Sequence, residues 1–410
     1  MILNYIWVAF FLIAFVVSLF KLVVLGDTEL FPNIMNGLFD MSKTGFEIAL
    51  GLTGMLTFWL GIMKIGEKAG IINVLARMVG PFFSKLFPEI PRNHPVLGQM
   101  MMNFSANMLG LDNAATPLGL KAMQGLQELN VDKETASNAQ IMFLVLNASG
   151  LTIIPIAIMN FRQEQGALNP ADIFLPILIA TFCSTMVGMV AVGIYQKINF
   201  FEKTILMYLS AALVFIGLLV YYFTSIPQEE IGKVSSLISN LFMFGLIITF
   251  ITLALFRKIH VFETFVEGAK EGYEVAIKII PYLIAMLVAI SVFRTCGALD
   301  YIVNGLSYLV ASVGLNTDFI PAMPTAFMKP LSGGGARAMM IETMTIHGAD
   351  SFAGRLSCIF QGAADTTFFI VALYFGAVGV KHSRYAVTCG LLADLGGVIA
   401  GIFAAYLFFH

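Results

Sequence analysis

Long uninterrupted apolar blocks dominate this chain, at residues 6–24, 48–63, 205–223, 237–256, 277–293 and 385–409. Each approaches the roughly 20 residues that an α-helix needs to cross hydrocarbon. No water is available there for exposed N–H and C=O groups, so only helices or closed barrels span, and blocks of this length are helical. Composition agrees: 58% of the residues are hydrophobic, 12% are charged and the mean hydropathy is +0.86. An average soluble domain carries about twice that charged share. The expected fold class is an all-α polytopic membrane protein, with the lipid bilayer as its first partner. A net charge of −2 and the lack of basic runs give no footprint for nucleic acid. The first block lacks a basic leader and an A-x-A-type cleavage site, so it is expected to remain as a span.

Hydropathy and Gly/Pro punctuation place about nine transmembrane helices, near 3–24, 46–64, 138–160, 172–196, 204–224, 235–256, 275–293, 354–376 and 384–409. Two apolar regions, 95–128 and 318–346, are broken by polar and small residues and are expected as re-entrant helical hairpins. Fifteen of the 23 basic residues fall on one side of this arrangement: Lys64, Lys68, Arg77, Lys85, Arg92, Lys121, Lys133, Lys197, Lys203, Arg257, Lys258, Lys270, Lys278, Lys381 and Arg384. That side is expected to be cytoplasmic, with the N-terminus inside and the C-terminus outside.

The chain also repeats. Gly45-Phe-Glu-Ile-Ala-Leu50 matches Gly272-Tyr-Glu-Val-Ala-Ile277 at an offset of 227, which Gly70 and Gly297 share. Leu146-Asn-Ala-Ser-Gly-Leu-Thr152 aligns with Gln361-Gly-Ala-Ala-Asp-Thr-Thr367 at 215. Each copy reads span, span, amphipathic helix, hairpin, span, span. The expected organisation is a first repeat over 1–200, a connecting span and loop over 201–234 and a second repeat over 235–410. The extra span between copies is odd in number, so the two structural repeats should be inverted, an architecture of many secondary transporters.

The polar interruptions are the candidate site. In Met108-Leu-Gly-Leu-Asp-Asn-Ala-Ala-Thr-Pro117 the hydroxyl and proline read as a helix start, with 111–115 as the turn before it. Asp112, Asn113 and Thr116 are candidates for solute binding there. In the second copy Lys329-Pro-Leu-Ser-Gly-Gly-Gly-Ala-Arg337 breaks the helix, Ser332 can cap the next one, and Gly333, Gly334 and Gly335 leave bare amides. Asn147, Ser149, Gln361 and Thr366 are polar residues at membrane depth and complete the solute-binding set. Asp365 and Asp112 are candidates for a coupling ion, Na⁺ or H⁺, because an intramembrane acid is costly and faces a cavity, a base or an ion. Their structural alternative is a helix–helix hydrogen bond or salt bridge, such as Asp365 with Arg337 or Lys329. Asp394, flanked by glycines, reads as a packing acid, and Glu47 and Glu274 as helix-opening residues. The four cysteines and five histidines show no metal spacing, no cofactor is implied and no nucleophile–base pair is visible, so the chain is not read as an enzyme.

At these motifs the sequence resembles a known family. Trp59-Leu-Gly-Ile-Met-Lys-Ile65, Phe87-Pro-Glu-Ile-Pro91 and Gly110–Gly119 are similar to spore maturation protein A. Thr264-Phe-Val-Glu-Gly-Ala-Lys-Glu-Gly272, Pro330-Leu-Ser-Gly333 and Gln361–Gly376 resemble spore maturation protein B, so the chain looks like a fusion of the two. Both belong to the nucleoside-recognition or gate-domain superfamily. Its repeats are similar to parts of the ferrous-iron permease and of concentrative nucleoside transporters. The resemblance implies a multi-pass protein of the bacterial cytoplasmic (inner) membrane. Three functions compete: a secondary transporter of a small polar or zwitterionic solute by alternating access, a gate-type channel or metal permease, and a non-transporting scaffold in envelope or spore maturation. A homodimer is a candidate assembly.

The charge asymmetry yields the first prediction. Reporter fusions should place the N-terminus in the cytoplasm and the C-terminus outside; both ends on one side would remove the odd number of spans.

Overall fold

A computed structural model describes the backbone of residues 2–91, 94–110, 112–312, 314 and 316–410, and the side chains of all these except 2–4, 112–114, 228, 229, 232, 236, 278, 279 and 282. The fold is 80% helical, and the described residues hold no strand beyond an isolated bridge between Thr135 and His382. Helix α1 (Ile2–Phe20) continues as a π turn and leads to the 39-residue α2 (Leu30–Lys68) and the short α3 (Ile71–Leu86). A hairpin of α4 (Pro95–Met108) and α5 (Asp112–Leu129) follows. Two half-helices, α6 (Asn138–Ala148) and α7 (Ile156–Glu164), then precede α8 (Phe174–Gln196). After α9 (Lys203–Ser225) the order returns, with α10 (Gln228–Phe256), the 35-residue α11 (Val261–Thr295) and the short α12 (Ala298–Ser312). The second hairpin is α13 (Met323–Met328) with α14 (Gly333–His347). Half-helices α15 (Phe352–Gly362) and α16 (Thr367–Val378) lead to α17 (Ala386–Phe409). The repeat of motifs is therefore a repeat of elements. Gly70 (φ 77°) and Gly297 (φ 85°) end the two long helices in the left-handed conformation that glycine adopts without strain.

Among the described residues seven helices are long and apolar enough to cross a membrane, and the bent pair 283–295 and 298–312 makes eight. The expected span at 138–160 is not continuous. Residues 149–155 leave the helix, where Gly150 turns left-handed and Pro155 lacks an amide proton. The span at 354–376 is likewise interrupted at 363–366. Helix α5 starts at Asp112 rather than at Thr116-Pro117, because Gly110 (φ 69°) reverses the chain earlier and leaves Pro117 inside the second turn. Glu47 and Glu274 do not open helices: α2 and α11 begin many residues before them, and Glu47 instead pairs with Lys43 one turn away, at 3.7 Å.

The chain forms two compact units, each drawing on both repeats: Met1–Gly61, Ala157–Pro170 and Gly268–Gln361 in the first, Ile62–Ile156, Ala171–Glu267 and Gly362–His410 in the second. In the first unit α2 and α11 pack antiparallel. Gly37 faces Ser291, Gly45 faces Ile284, and Gly272 faces the backbone of Leu56 and Thr57. Phe10 stacks on Phe293 with centroids 4.7 Å apart, and the Trp7 indole donates to Ala285 O at 2.9 Å. In the second unit α8 and α17, the closing helices of the two repeats, also run antiparallel. Ser184 lies against Gly397, Val187 against Gly396, Gly188 against Ala393, and Tyr195 stacks on Tyr385. Rings run through its core from Phe83 to Phe104, Phe143 and Tyr374. At the basic loops Lys85 bonds Glu202 and Lys68 bonds Glu267, holding both carboxyls below the usual range.

Arg162 is fully buried in the first unit, donating to Ala349 O at 2.6 Å and to Asp350 at 2.9 Å. Asp350 also accepts from Leu168 N and pairs with Arg355, so one guanidinium ties loop 165–170 to loop 348–351. Arg162→Met should cost about 3 kcal/mol, since buried Ala349 O and half-buried Asp350 lose charge-assisted hydrogen bonds from the guanidinium, Arg355 remaining beside Asp350. A thermal melt of the purified variant should show the loss, and an unchanged midpoint would make the network ornamental.

Candidate functional site

Three non-helical stretches meet in the second unit: the α4–α5 turn, the break at 149–155 and the break at 363–366. The Asp365 amide donates to Ala148 O at 2.7 Å, so one break caps the carbonyl end of α6. The Ile153 amide donates to Met108 O at 2.8 Å, joining the first break to the hairpin turn. From α8, the Thr181 hydroxyl donates to Gly150 O at 2.8 Å and accepts from Thr152 N at 3.4 Å. Gly150 has φ 53°, and a Cβ there would sit 3.0 Å from the Asp365 amide nitrogen. Each break thus satisfies main-chain groups that the other leaves open.

A buried amide network surrounds this crossing. Asn147 donates to Phe143 O at 2.8 Å, and its Oδ1 accepts from Asn107 Nδ2 at 2.7 Å and from the Tyr374 hydroxyl at 3.3 Å. Asn103, fully buried, donates to Ala115 O at 2.8 Å and ties α4 to α5. Asp394 on α17 accepts from the Thr367 hydroxyl at 2.7 Å, the hydrogen-bonded packing acid expected from its glycines.

The residues anticipated from sequence divide as follows. Asn147, Ser149, Asp365 and Thr366 gather at the crossing. Ser149 is buried and donates to Leu146 O of its own helix at 3.1 Å. Asp365 is exposed and accepts from the Thr366 amide at 2.7 Å. The Thr366 hydroxyl is buried with no hydrogen-bond partner. Thr116 is exposed on α5, and the side chains of Asp112 and Asn113 lie outside the described residues. Ser332, Gly333, Gly334 and Gly335 belong to the first unit, where the Ser332 hydroxyl caps α14 by accepting from Gly335 N at 3.0 Å. Gln361 closes that unit, its Oε1 buried and unbonded. Tyr374 and Thr181 were not among the anticipated site residues, yet a tyrosine in the run Phe368–Gly376 must find a polar partner for its hydroxyl. The crossing presents the carbonyl end of α6, the amide end of α16 and the Asp365 carboxylate, a set that can hold both charges of a small zwitterion.

The family model "Nucleoside recognition" (Gate) matches residues 49–164 and again 276–381, once in each copy of the repeat. Spore maturation protein A of Bacillus subtilis is 39% identical over 181 residues, covering 44% of this chain and 89% of that protein. Spore maturation protein B of the same organism is 46% identical over 153 residues, covering 37% of this chain and 84% of that protein. Two separate proteins thus each match part of one polypeptide, as a fusion of the two requires. No solved structure matches the chain.

Gly119 on α5 faces Tyr374, and a Cβ there would overlap the tyrosine hydroxyl and press on Asn103 Nδ2. Gly119→Ala should therefore dislodge Tyr374 from Asn147 and cost about 1–3 kcal/mol. Tyr374→Phe combined with Gly119→Ala should recover part of that loss in thermal melts; strict additivity would show that the two do not touch.

Proposed function

The chain belongs to the nucleoside-recognition (Gate) family, and on that basis we propose that it is a secondary transporter of a small polar, zwitterionic solute. The observation that carries this reading is the crossing of two interrupted helices, where a carbonyl helix end, an amide helix end and an exposed carboxylate come together. The solute's carboxylate suits the α16 amides. Its ammonium group, or a coupling Na⁺ or H⁺, suits Asp365. Asn147, Ser149 and Thr366 line this reading of the site, with Asp112, Asn113 and Thr116 on the hairpin beside it. Ser332–Gly335 and Gln361 are assigned to solute binding within the first unit, on the strength of their matching place in the second repeat. No enzymatic step is part of this function.

In this reading the two repeats are inverted and work by alternating access. The pairs α2 with α11 and α8 with α17 are corresponding elements, and each pair packs antiparallel. The half-helices α6 and α16, which are not counterparts, meet through Phe143 with Tyr374 and Ala148 with Asp365. We assign the multi-pass chain to the bacterial cytoplasmic membrane, N-terminus inside and C-terminus outside. Loops that carry the excess of basic residues lie against one another, Lys85 with Glu202, Lys68 with Glu267 and Lys381 with Glu134, as loops on one face must. The bilayer and a small solute are the partners this reading requires, and a second copy of the chain is compatible with it.

The test is uptake into liposomes containing the purified protein, with amino acids and other zwitterions offered under Na⁺ and pH gradients. Asp365→Asn should abolish gradient-driven uptake while the melting midpoint stays within about 2 °C, because the amide keeps the shape and an exposed substitution is close to neutral. If wild-type protein moves no solute under any gradient, a scaffold in envelope or spore maturation replaces the transporter.

A further inference from the structure

We propose that Asp394 anchors a second, buried site that binds a small monovalent cation, Na⁺ by its donor chemistry. Asp394 is 6% exposed in the middle of α17, an otherwise apolar helix with no other charged residue. A carboxylate at such depth is normally matched to a cation or a proton. The Thr367 hydroxyl, in the first turn of α16, donates to one of its oxygens at 2.7 Å.

Glycines in the neighbouring turns let other elements pack directly against this face. Gly390 lies one turn before Asp394, and a Cβ there would come within 2.6 Å of the Thr367 methyl. Gly397 lies one turn after, and a Cβ there would sit 3.1 Å from Ser184 Cβ and 3.3 Å from the Ala363 carbonyl oxygen. Along this face the glycines therefore admit α8 on one side and the 363–366 break on the other. Both bring oxygen: the Ser184 and Thr366 hydroxyls are fully or almost fully buried and have no hydrogen-bond partner. One carboxylate, hydroxyls and a carbonyl freed by an interrupted helix form a hard, all-oxygen donor set. Such a set suits an alkali cation and offers nothing to a soft metal.

The site also has a mechanical consequence. Ala363 and Thr366 bracket the break whose Asp365 amide holds Ala148 O. A cation drawn onto Asp394, Thr366 and Ala363 O would fix that break and with it the crossing. This link to transport rests on the transporter reading; the binding itself does not.

The experiment uses the full chain in detergent, with thermal unfolding followed in NaCl, KCl and choline chloride at matched ionic strength and pH. NaCl should raise the midpoint by roughly 3 °C or more over choline chloride when Na⁺ is well above its Kd. Asp394→Asn should lose that difference. Should that variant not fold, Ser184→Ala reads the same site and should weaken the apparent Na⁺ affinity several-fold. Equal midpoints in all three salts, a midpoint that follows pH alone, or a full Na⁺ response in both variants would overturn the site. A Na⁺ response without solute uptake in liposomes would remove the transporter reading and leave the cation site standing.

Discussion

Main chain that leaves the helix inside a bilayer loses its internal partners and gains no water in exchange, so it persists only where other protein groups take the vacated bonds. The second unit meets that demand reciprocally. The carbonyl that α6 leaves open at Ala148 is taken by the Asp365 amide, the amide of Ile153 is taken by Met108 O, and Gly150 O is taken by the Thr181 hydroxyl. None of the three interrupted stretches is complete alone. Shifting 149–155 by a residue would break its bonds to Met108 O and the Thr181 hydroxyl and disturb the neighbouring Ala148–Asp365 bond, so the crossing holds one register. The side chains around it, Asn147 with Asn107 and Tyr374, inherit their positions from that register.

The same demand explains where small residues fall. In a membrane, helices gain little from apolar burial against one another and much from close van der Waals approach. Gly37, Gly45 and Gly272 let α2 and α11 touch in the first unit; Gly188, Gly396 and Gly397 do so for α8 and α17 in the second. Each is a contact between an element and its own counterpart. For these two pairs the repeat is thus also a rule of packing, in which a long helix lies antiparallel to its equivalent in the other copy.

How much of this was legible in the sequence depends on what kind of signal each feature leaves. The spans, the hairpins, the element-by-element repeat and the Ser332 cap could be read, because apolar length, Gly/Pro breaks and a hydroxyl before a glycine run act locally. The interruption at 149–155 was not read as one. The runs on either side, Ile141–Leu146 and Ile153–Met159, are apolar enough to pass for one helix, and Gly150, Pro155 and bonds to Thr181, Met108 and Asp365 together hold the break open. The start of α5 was misplaced for a related reason: Thr116-Pro117 is a sound local start signal, but Gly110 turns the chain before it is reached. Arg162, Tyr374 and Thr181 were missed because their partners lie far off in sequence, at Ala349 and Asp350, at Asn147, and at Gly150.

Helix α9 stands between the two copies, and its presence bears on how such a chain can be assembled. Counterparts that pack antiparallel must enter the membrane in opposite senses, and a single polypeptide achieves this only by crossing an odd number of times between them. For copies inverted in this way, α9 would supply the odd crossing by connectivity, in addition to any bias from flanking charge. Two separate polypeptides carrying the same copies would have no such linker, and each would need its own charge bias to choose the correct face. Joining the halves converts a problem of paired insertion, with the risk of mismatched orientation and unequal dosage, into one of chain order.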